Sequence, residues 1–393
     1  SVFFSTILSS LILLLSFDNI LWANFWVSLK IPPNYISFSD LRAHISFLEC
    51  FNKGINIYED ACFLINSGNA KISTHPKTWI YLFDILNLKN IFIFNIFTFV
   101  LLLVYFCVVF DFYNFFLKRY EKIFFWLFFF STSNFILIER LSTDLIIFLV
   151  VYFAVQSRQK IIQFVLIYLG YFLKYYPIFL CSLFVEKKKY LISLLVSFLI
   201  LFIFLFYKDV KNINNNIVEM ALPIAYGSRT MLMAFYHISE HYNLFINDNN
   251  LNFFRYLVVI TFGLYSAILI LVGYRKSSQF NLQTFFDKKF IAGASIFIGT
   301  YIIGANVDYR LIFLIFALPL ILRLENKLLR NIFLISFLFS INSFYFLIGE
   351  KLSLIFFFSS TIIFLCKFII FSILSLIMGS QLRSINFFKK YNV

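Results

Sequence analysis

Charged side chains interrupt the apolar sequence of this chain at three places where an apolar helix has no structural use for them. An ion near hydrocarbon costs up to ~2.5–3.5 kcal/mol unless it faces a cavity or a partner. The interrupting residues are Glu139, Arg140 and Asp144, then Lys174, and then Asp308 and Arg310. Acids and bases at such positions are candidates for proton transfer and anion binding, so the function is expected there.

The first polar loop, 18–90, adds a further candidate acid. Ser39 is placed to cap a helix that starts at Asp40, which would put Asp40 and His44 on one face at i,i+4. A partly desolvated Asp at a membrane boundary is suited to act as general base for a sugar hydroxyl. The competing interpretation is that Asp40 only stabilises the positive end of a helix dipole.

The composition predicts which elements must position these residues. Of 393 residues, 61% are hydrophobic and only 13% are charged, whereas soluble domains have about 25% charged residues. We therefore predict an all-α, polytopic membrane protein, with residues 1–393 as a single membrane domain of about 10–12 transmembrane helical segments. The first apolar run, 2–17, is interpreted as a span rather than a signal peptide because more spans follow.

The apolar runs vary in length, and several are shorter than the ~20 residues that cross a bilayer. Such short runs indicate hairpins of half-length helices. Pro177 supplies a break within 161–185, since proline removes a backbone donor and disfavours helix at the preceding residue. The predicted runs are 2–17, 91–112, 123–138, 145–156, 161–173, 177–185, 190–207, 256–274, 290–304, 311–322, 331–348 and 353–378.

The placement of positive charge predicts the topology. The net charge is +14, but the Lys and Arg clusters lie between apolar runs, which is typical of cytoplasmic loops rather than of nucleic-acid binding. The two long loops, 18–90 and 208–255, then belong to the extracytoplasmic side. The short charged segments 139–144, 174–176 and 305–310 fall on that side as well. We expect interfacial helices in loop 18–90, where apolar residues recur at helical spacing.

Cysteine and histidine spacing gives two weaker indications. Cys50 and Cys62 share the first loop and could form a disulfide if that loop is extracytoplasmic. His237 and His241 have a spacing that can bind a metal on a helix, but no other ligands are evident, so solvated histidines are favoured. A nucleotide-fuelled pump is disfavoured because the sequence has no Gly-rich phosphate loop.

The order of these features resembles the GT-C superfamily of membrane glycosyltransferases, and most closely glycosyltransferase family 87. The resemblance covers roughly residues 1–325. It departs from the family at Leu141-Ser142, where the family has Gly-Asn, and in a missing second Pro near His75-Pro76. The segments that carry it are Asp40, Gly54 to Tyr58, His75-Pro76 through Asp84, Glu139 to Asp144, Leu173 to Pro177, and Asp308-Tyr309-Arg310 through Pro319.

The resemblance implies a mannosyltransferase-like enzyme that takes a sugar from a polyprenyl-phosphate donor and transfers it, with inversion, to a glycan or lipid acceptor. It would be a multi-pass protein of the inner (plasma) membrane with an extracytoplasmic site. A cofactor is not implied with certainty, and a divalent cation stays open. Asp40 would be the general base. The implied donor-phosphate ligands are Lys174, Arg310 and Arg140, and the implied acceptor or supporting residues are Glu139, Asp144, His44, Tyr58, His75, Asp308 and Tyr309.

Competing interpretations stay open at this point. Arg140 could form an ion pair with Asp144 at i,i+4, and Asp308 could pair with Arg310 or Lys174, while Lys174 has no local carboxylate partner. Asp144 could also simply cap a span after Ser142. At the level of function, an O-antigen-type polysaccharide polymerase or ligase would need arginines in loop 208–255 rather than Asp40. A lipid or solute transporter would show midplane ionisable groups and inverted repeats.

Overall fold

The chain folds almost entirely into helices. The computed structural model describes residues 2–34, 36–60, 62–63, 70–71, 73, 75–203, 225–233, 236, 251–278, 287–304, 306–346 and 354–385. Within these residues the only strands are two antiparallel pairs, each two residues long. The all-α class is confirmed. The metal-site candidates His237 and His241 lie outside the described residues, as does most of loop 208–255.

Several helices have the length and composition of membrane spans. Of the described helices, three could cross a membrane, or up to five if each bent pair of helices counts as one span. The three are Ile91–Tyr113, Phe253–Lys276 and Phe358–Ser384. The shorter apolar helices are Thr143–Gln156, Lys160–Leu173 and Tyr190–Leu201. These lengths and the apolar composition together identify a helical membrane protein.

The elements follow one another with short connections over most of the described chain. The strands are β1 (Cys62–Phe63), β2 (Ala70–Lys71), β3 (Ala225–Tyr226) and β4 (Asn306–Val307). Two 3-10 helices cover Tyr176–Phe184 and Asp308–Phe316. The α-helices are α1 (Val2–Leu15), α2 (Asn19–Ser28), α3 (Ser39–Asn52), α4 (Thr78–Ile85), α5 (Ile91–Tyr113), α6 (Arg119–Phe129), α7 (Thr132–Arg140), α8 (Thr143–Gln156), α9 (Lys160–Leu173), α10 (Lys188–Leu201), α11 (Leu251–Lys276), α12 (Lys288–Ile303), α13 (Leu318–Leu322), α14 (Lys327–Ile341), α15 (Ser343–Phe346) and α16 (Leu354–Ser384).

The chain divides into two compact units. The first consists of Ser1–Leu117, Asn134–Ile178 and Ile192–Val218, and the second of Lys118–Ser133, Phe179–Leu191 and Glu219–Val393. In the first unit, α1 packs on α5, α3 on α4 and α8 on α9. In the second, α16 packs on α11, α12 and α14, and the 3-10 helix at 308–316 packs on α12.

Local capping explains where several helices of the first unit begin. The side chain of Asp18 accepts hydrogen bonds from the backbone N–H groups of Ile20 and Leu21, and so caps α2. Asn90 caps α5 in the same way. These side chains satisfy N–H groups that have no partner within the helix.

Several predicted elements are wrong in detail. The run 123–138 is not one helix but is divided between α6 and α7, which are bent by 43°. Ser39 is not the cap of α3: the helix begins at Ser39, and Phe38 precedes it in the left-handed conformation. The Ser39 hydroxyl accepts a hydrogen bond from the Asn34 side chain instead. The run 311–322 is not one α-helix either, since Pro319, which lacks an N–H, lies near the start of the short α13 and a 3-10 helix precedes it.

Glycines allow α11 and α16 to approach each other closely in the second unit. A Cβ atom on Gly273 would lie 1.8 Å from the carbonyl oxygen of Leu376. One on Gly379 would lie 2.0 Å from the carbonyl oxygen of Ile270. Small residues at such crossings let the helix backbones touch.

We therefore expect Gly273→Ala to lower the free energy of unfolding by about 1–3 kcal/mol, the usual effect of overpacking. Gly263→Ala is the matched control on the same helix, because its Cβ would meet nothing closer than Ile302 Cγ2 at 3.9 Å. The measurement is unfolding by sodium dodecyl sulfate titration in mixed micelles. Equal stability of the two variants would show that the close approach does not exist in the folded protein.

Candidate functional site

Asp40 lies in the first turn of α3, within electrostatic reach of Glu139 at the end of α7. The backbone N–H of Asn34 donates to Glu139 Oε1 at 2.9 Å, and the Asn34 side chain donates to Ser39 Oγ at 2.5 Å. Glu139 is fully buried, whereas Asp40 is only partly buried. The segment before α3 thus brings an accessible acid next to an inaccessible one.

Arg140 supplies a cation next to Glu139. Its Nε lies 3.8 Å from Glu139 Oε2, and its side chain is 19% exposed. Within the described part of the chain, neither of these two atoms has a hydrogen-bond partner. Buried polar atoms are normally satisfied, so this place suits a polar ligand.

The ion pair considered between Arg140 and Asp144 does not form, because the helix is interrupted between them. Leu141 has a φ of 45°, in the left-handed region that favours glycine. Ser142 then caps α8 by accepting from the N–H of Asp144, so Asp144 is not the cap.

Two histidines lie together in the first unit, one of them, His44, on α3 four residues after Asp40. The rings of His44 and His75 are 4.8 Å apart between centroids, and His44 stacks on Trp79 at 5.2 Å. His75 Nε2 is 3.4 Å from the hydroxyl oxygen of Thr143. The Tyr58 hydroxyl donates to the His75 carbonyl at 3.1 Å. The predicted residues His44, Tyr58 and His75 are therefore together in the first unit.

Lys174 and Asp144 form a buried ion pair. Lys174 Nζ donates to Asp144 Oδ2 at 2.6 Å, and the Tyr176 hydroxyl donates to Asp144 Oδ1. The Lys174 side chain is 7% exposed and that of Asp144 is fully buried. Lys174 thus has a carboxylate partner that its neighbouring sequence does not reveal. The ion pair links the start of α8 to the segment between the end of α9 and the 3-10 helix that begins at Tyr176. The α-helix ends there, as the sequence predicted from Pro177.

Helix α4 docks on the carboxyl end of α9 and satisfies carbonyls of the last turn of α9. Thr78 Oγ1 donates to the carbonyl of Phe172 at 2.5 Å, and Trp79 Nε1 donates to that of Leu173 at 2.8 Å. The last carbonyls of a helix have no partner within it. These two bonds fix Lys174 relative to His75.

Thr78→Val keeps the shape of the side chain but removes the donor, so we expect a loss of about 0.5–1.5 kcal/mol in the free energy of unfolding. Thr6→Val is the control, because the exposed Thr6 hydroxyl donates to Val2 within its own helix and should change stability by no more than about 0.5 kcal/mol. Unfolding in detergent measures both. If the two substitutions lower the free energy of unfolding equally, the hydrogen bond from α4 to α9 does not stabilise the protein.

Two further contacts hold the first loop in place. Cys50 and Cys62 are joined by a disulfide, as the sequence allowed. Arg42 Nε donates to the carbonyl of Ser37 at 3.0 Å, and its guanidinium lies 4.9 Å from the Phe94 ring centroid. Burial lowers the pKa of Arg42, but an arginine stays protonated in proteins.

The predicted residues Asp308, Tyr309 and Arg310 belong to the second unit and begin its 3-10 helix. Asp308 pairs with Lys367, at 2.7 Å from Oδ1 to Nζ, and accepts from the Ser343 hydroxyl at 2.6 Å. The alternative pairing of Asp308 with Arg310 is therefore wrong. Arg310 instead donates to the side-chain oxygen of Asn306.

Asn34, Tyr176 and Lys367 take part in these networks and were not among the predicted site residues. Asn34 and Tyr176 act through contacts across the sequence that no local pattern contains. Lys367 carried a signal, since it is a lone charge within the apolar run 353–378 and such charges mark functional positions.

The first unit therefore contains a proton acceptor, an anion ligand and two imidazoles on connected elements. Among the described residues, no group of three His, Cys, Asp or Glu side chains is placed to hold a metal ion. Comparison with protein-family models, curated proteins and solved structures gives no match for this chain.

Proposed function

We propose that this protein is a membrane glycosyltransferase that moves a sugar from a polyprenyl-phosphate donor to a glycan or lipid acceptor. The observation that carries the proposal is that Asp40 lies within electrostatic reach of Glu139, a residue far from it in the sequence, and that Arg140 lies 3.8 Å from the Glu139 carboxylate. A partly exposed carboxylate and a guanidinium whose Nε has no hydrogen-bond partner, both near Glu139, suit an acceptor hydroxyl and a donor phosphate.

In the proposed reaction, Asp40 removes the proton from the acceptor hydroxyl as that oxygen attacks the anomeric carbon of the sugar. The bond between this carbon and the phosphate oxygen breaks, and the phosphate leaves with the electron pair, so the anomeric centre is inverted. Arg140 stabilises the negative charge that develops on the phosphate. Asp40 is preferred as base over Glu139 because Glu139 is buried and already accepts from Asn34.

The other residues of the cluster are proposed to support these two. Lys174 is neutralised by Asp144, whose Oδ2 lies 2.6 Å from the lysine Nζ. Lys174 is therefore proposed to hold α8 in place rather than to bind the phosphate directly. His75, which is partly exposed, and His44 are proposed to line the acceptor side. The prediction that Arg310 binds a phosphate concerns a residue of the second unit and stays a prediction.

The cellular setting is part of the proposal. We propose a GT-C-like fold with about 10–12 membrane segments in the inner (plasma) membrane. The cluster around Asp40 would face the extracytoplasmic side. The placement of the Lys and Arg clusters supports this orientation.

The test is transfer by purified protein in proteoliposomes, supplied with a panel of polyprenyl-phosphate hexoses carrying a radiolabelled sugar. We expect polyprenyl phosphate to be released and the label to appear in a new glycosidic bond. A transporter would instead move the label across the bilayer while the donor stays intact. That second result would contradict the proposal.

A further inference from the structure

Helix α2 buries two tryptophans on one face. Trp22 and Trp26 are spaced i,i+4, so they lie on the same side of the helix, and they are 0% and 1% exposed. Their rings meet edge to face at 5.4 Å between centroids. Within the described residues, neither indole N–H has a hydrogen-bond partner. A buried tryptophan N–H usually has one, so these two donors require an explanation.

Trp22 lies between the two parts of the candidate site. Its ring packs edge to face on Phe38 at 4.9 Å, and the buried Phe38 leads directly into the turn of α3 that carries Asp40. The left-handed backbone of Phe38 is unfavourable for a residue with a Cβ atom, and burial of its ring against Trp22 offsets that cost. The Trp22 indole N–H also lies within hydrogen-bonding reach of Glu139 at the end of α7.

Glu139 Oε2 is a buried acceptor with two donors near it, neither of which completes a hydrogen bond. Arg140 Nε is 3.8 Å away, which is longer than an N–H···O bond. The Trp22 indole reaches the same carboxylate, yet among the described residues Trp22 Nε1 and Glu139 Oε2 have no hydrogen-bond partner. Oε1, by contrast, accepts from the N–H of Asn34 at 2.9 Å. The partner of Oε2 can therefore change while Oε1 stays fixed.

An anion bound by Arg140 would change the surroundings of Oε2. The Nε–H group of Arg140 cannot point at Glu139 and at a phosphate at the same time. A buried carboxylate that loses its cation is strongly destabilised unless another donor replaces it. Trp22 supplies such a donor from a buried position on a capped helix.

We propose that Trp22 is a positioning residue whose indole N–H takes over Glu139 Oε2 when the Arg140 guanidinium turns toward a phosphate. The proposal rests on the proposed function for the identity of that anion. The contacts from Trp22 to Glu139 and from Glu139 to Arg140 lie within the first unit alone.

Binding of farnesyl phosphate in detergent micelles tests this proposal. Trp22→Phe keeps an aromatic ring for Phe38 but removes the N–H. Trp26→Phe is the matched control, because it makes the same change on the same face of α2, where Trp26 packs on Phe135 of α7 at 6.1 Å. We expect Trp22→Phe to raise the Kd about 10–100-fold, the range known for residues that orient ligand-binding side chains at metal sites. Trp26→Phe should leave the Kd unchanged.

The wild-type protein allows a direct observation of the same N–H group. The chain has four tryptophans, so selective labelling with nitrogen-15 gives four indole N–H signals in a nuclear magnetic resonance spectrum. We expect farnesyl phosphate to move the Trp22 proton signal downfield, because a hydrogen bond to a carboxylate deshields the proton. The Trp26 signal should stay in place, and single Trp→Phe variants assign the signals.

A third comparison repeats Trp22→Phe in a Glu139→Gln background. A glutamine amide has a single acceptor oxygen, which the N–H of Asn34 engages, and its NH₂ group then faces the indole. Trp22 has no acceptor to hold in that background, so Trp22→Phe should raise the Kd no further.

The outcomes separate the two proposals. If farnesyl phosphate binds but leaves the Trp22 signal in place, the role of Trp22 is overturned. Equal Kd values for Trp22→Phe and Trp26→Phe, or a further rise in the Glu139→Gln background, overturn it as well. Wild-type protein that does not bind farnesyl phosphate overturns the donor class of the proposed function, and with it the phosphate that Arg140 would turn toward.

Discussion

Asp40→Asn should reduce sugar transfer by about 10²–10⁴-fold, the usual contribution of a general base. Asparagine keeps the shape of the side chain but cannot accept the proton of the acceptor hydroxyl. The loss should appear in kcat, since the acceptor and donor still bind. The measurement is initial transfer rate in proteoliposomes at matched amounts of inserted protein.

The control for Asp40→Asn is Asp84→Asn, which removes an exposed acid from α4 in the same unit. It should keep the wild-type rate, and both variants should unfold at the wild-type detergent concentration. Transfer that survives in Asp40→Asn would remove this residue from the mechanism. An equal loss in both variants would point to a general effect of negative charge.

Lys174→Met should destabilise the protein by about 3–5 kcal/mol, because it leaves the Asp144 carboxylate buried without its cation. Removing both charges, as Lys174→Met with Asp144→Leu, should recover most of that loss, since a buried pair can be replaced by apolar side chains at little cost. Unfolding by sodium dodecyl sulfate titration measures the free energy of each variant.

Lys53→Met is the control for this pair, since Lys53 is exposed in the same unit and its loss should change stability by no more than about 0.5 kcal/mol. If Lys174→Met is as stable as Lys53→Met, the ion pair is absent from the folded protein. If the double variant is stable but transfers no sugar, Lys174 or Asp144 also contributes to the reaction.

The helical class and the positions of the charged segments could be predicted because they are local properties of the sequence. The apolar runs predicted α5, α9 and α16 to within a few residues, except for the end of α16. The break at Pro177 follows from proline chemistry alone. The predicted helix starts and ends were wrong where a non-glycine residue takes left-handed backbone angles. Phe38 and Leu141 both do so.

The partners of the charges could not be predicted, because each is chosen by packing between distant segments. Lys174 pairs with Asp144, and Asp308 pairs with Lys367. The sequence had suggested other pairs, namely Arg140 with Asp144 at i,i+4, and Asp308 with Arg310 or Lys174. Spacing of i,i+4 implies contact only if the helix is continuous, and the helix stops after Arg140. The approach of Asn34 to Glu139 likewise depends on the turn before α3.

The most direct measurement is the location of the phosphate in a cryo-electron microscopy structure of the protein with a bound polyprenyl phosphate. We predict that a phosphate oxygen lies within hydrogen-bond distance of the Arg140 guanidinium, with the Asp40 carboxylate facing the side from which an acceptor would approach. A phosphate bound away from both Arg140 and Asp40 would contradict the account.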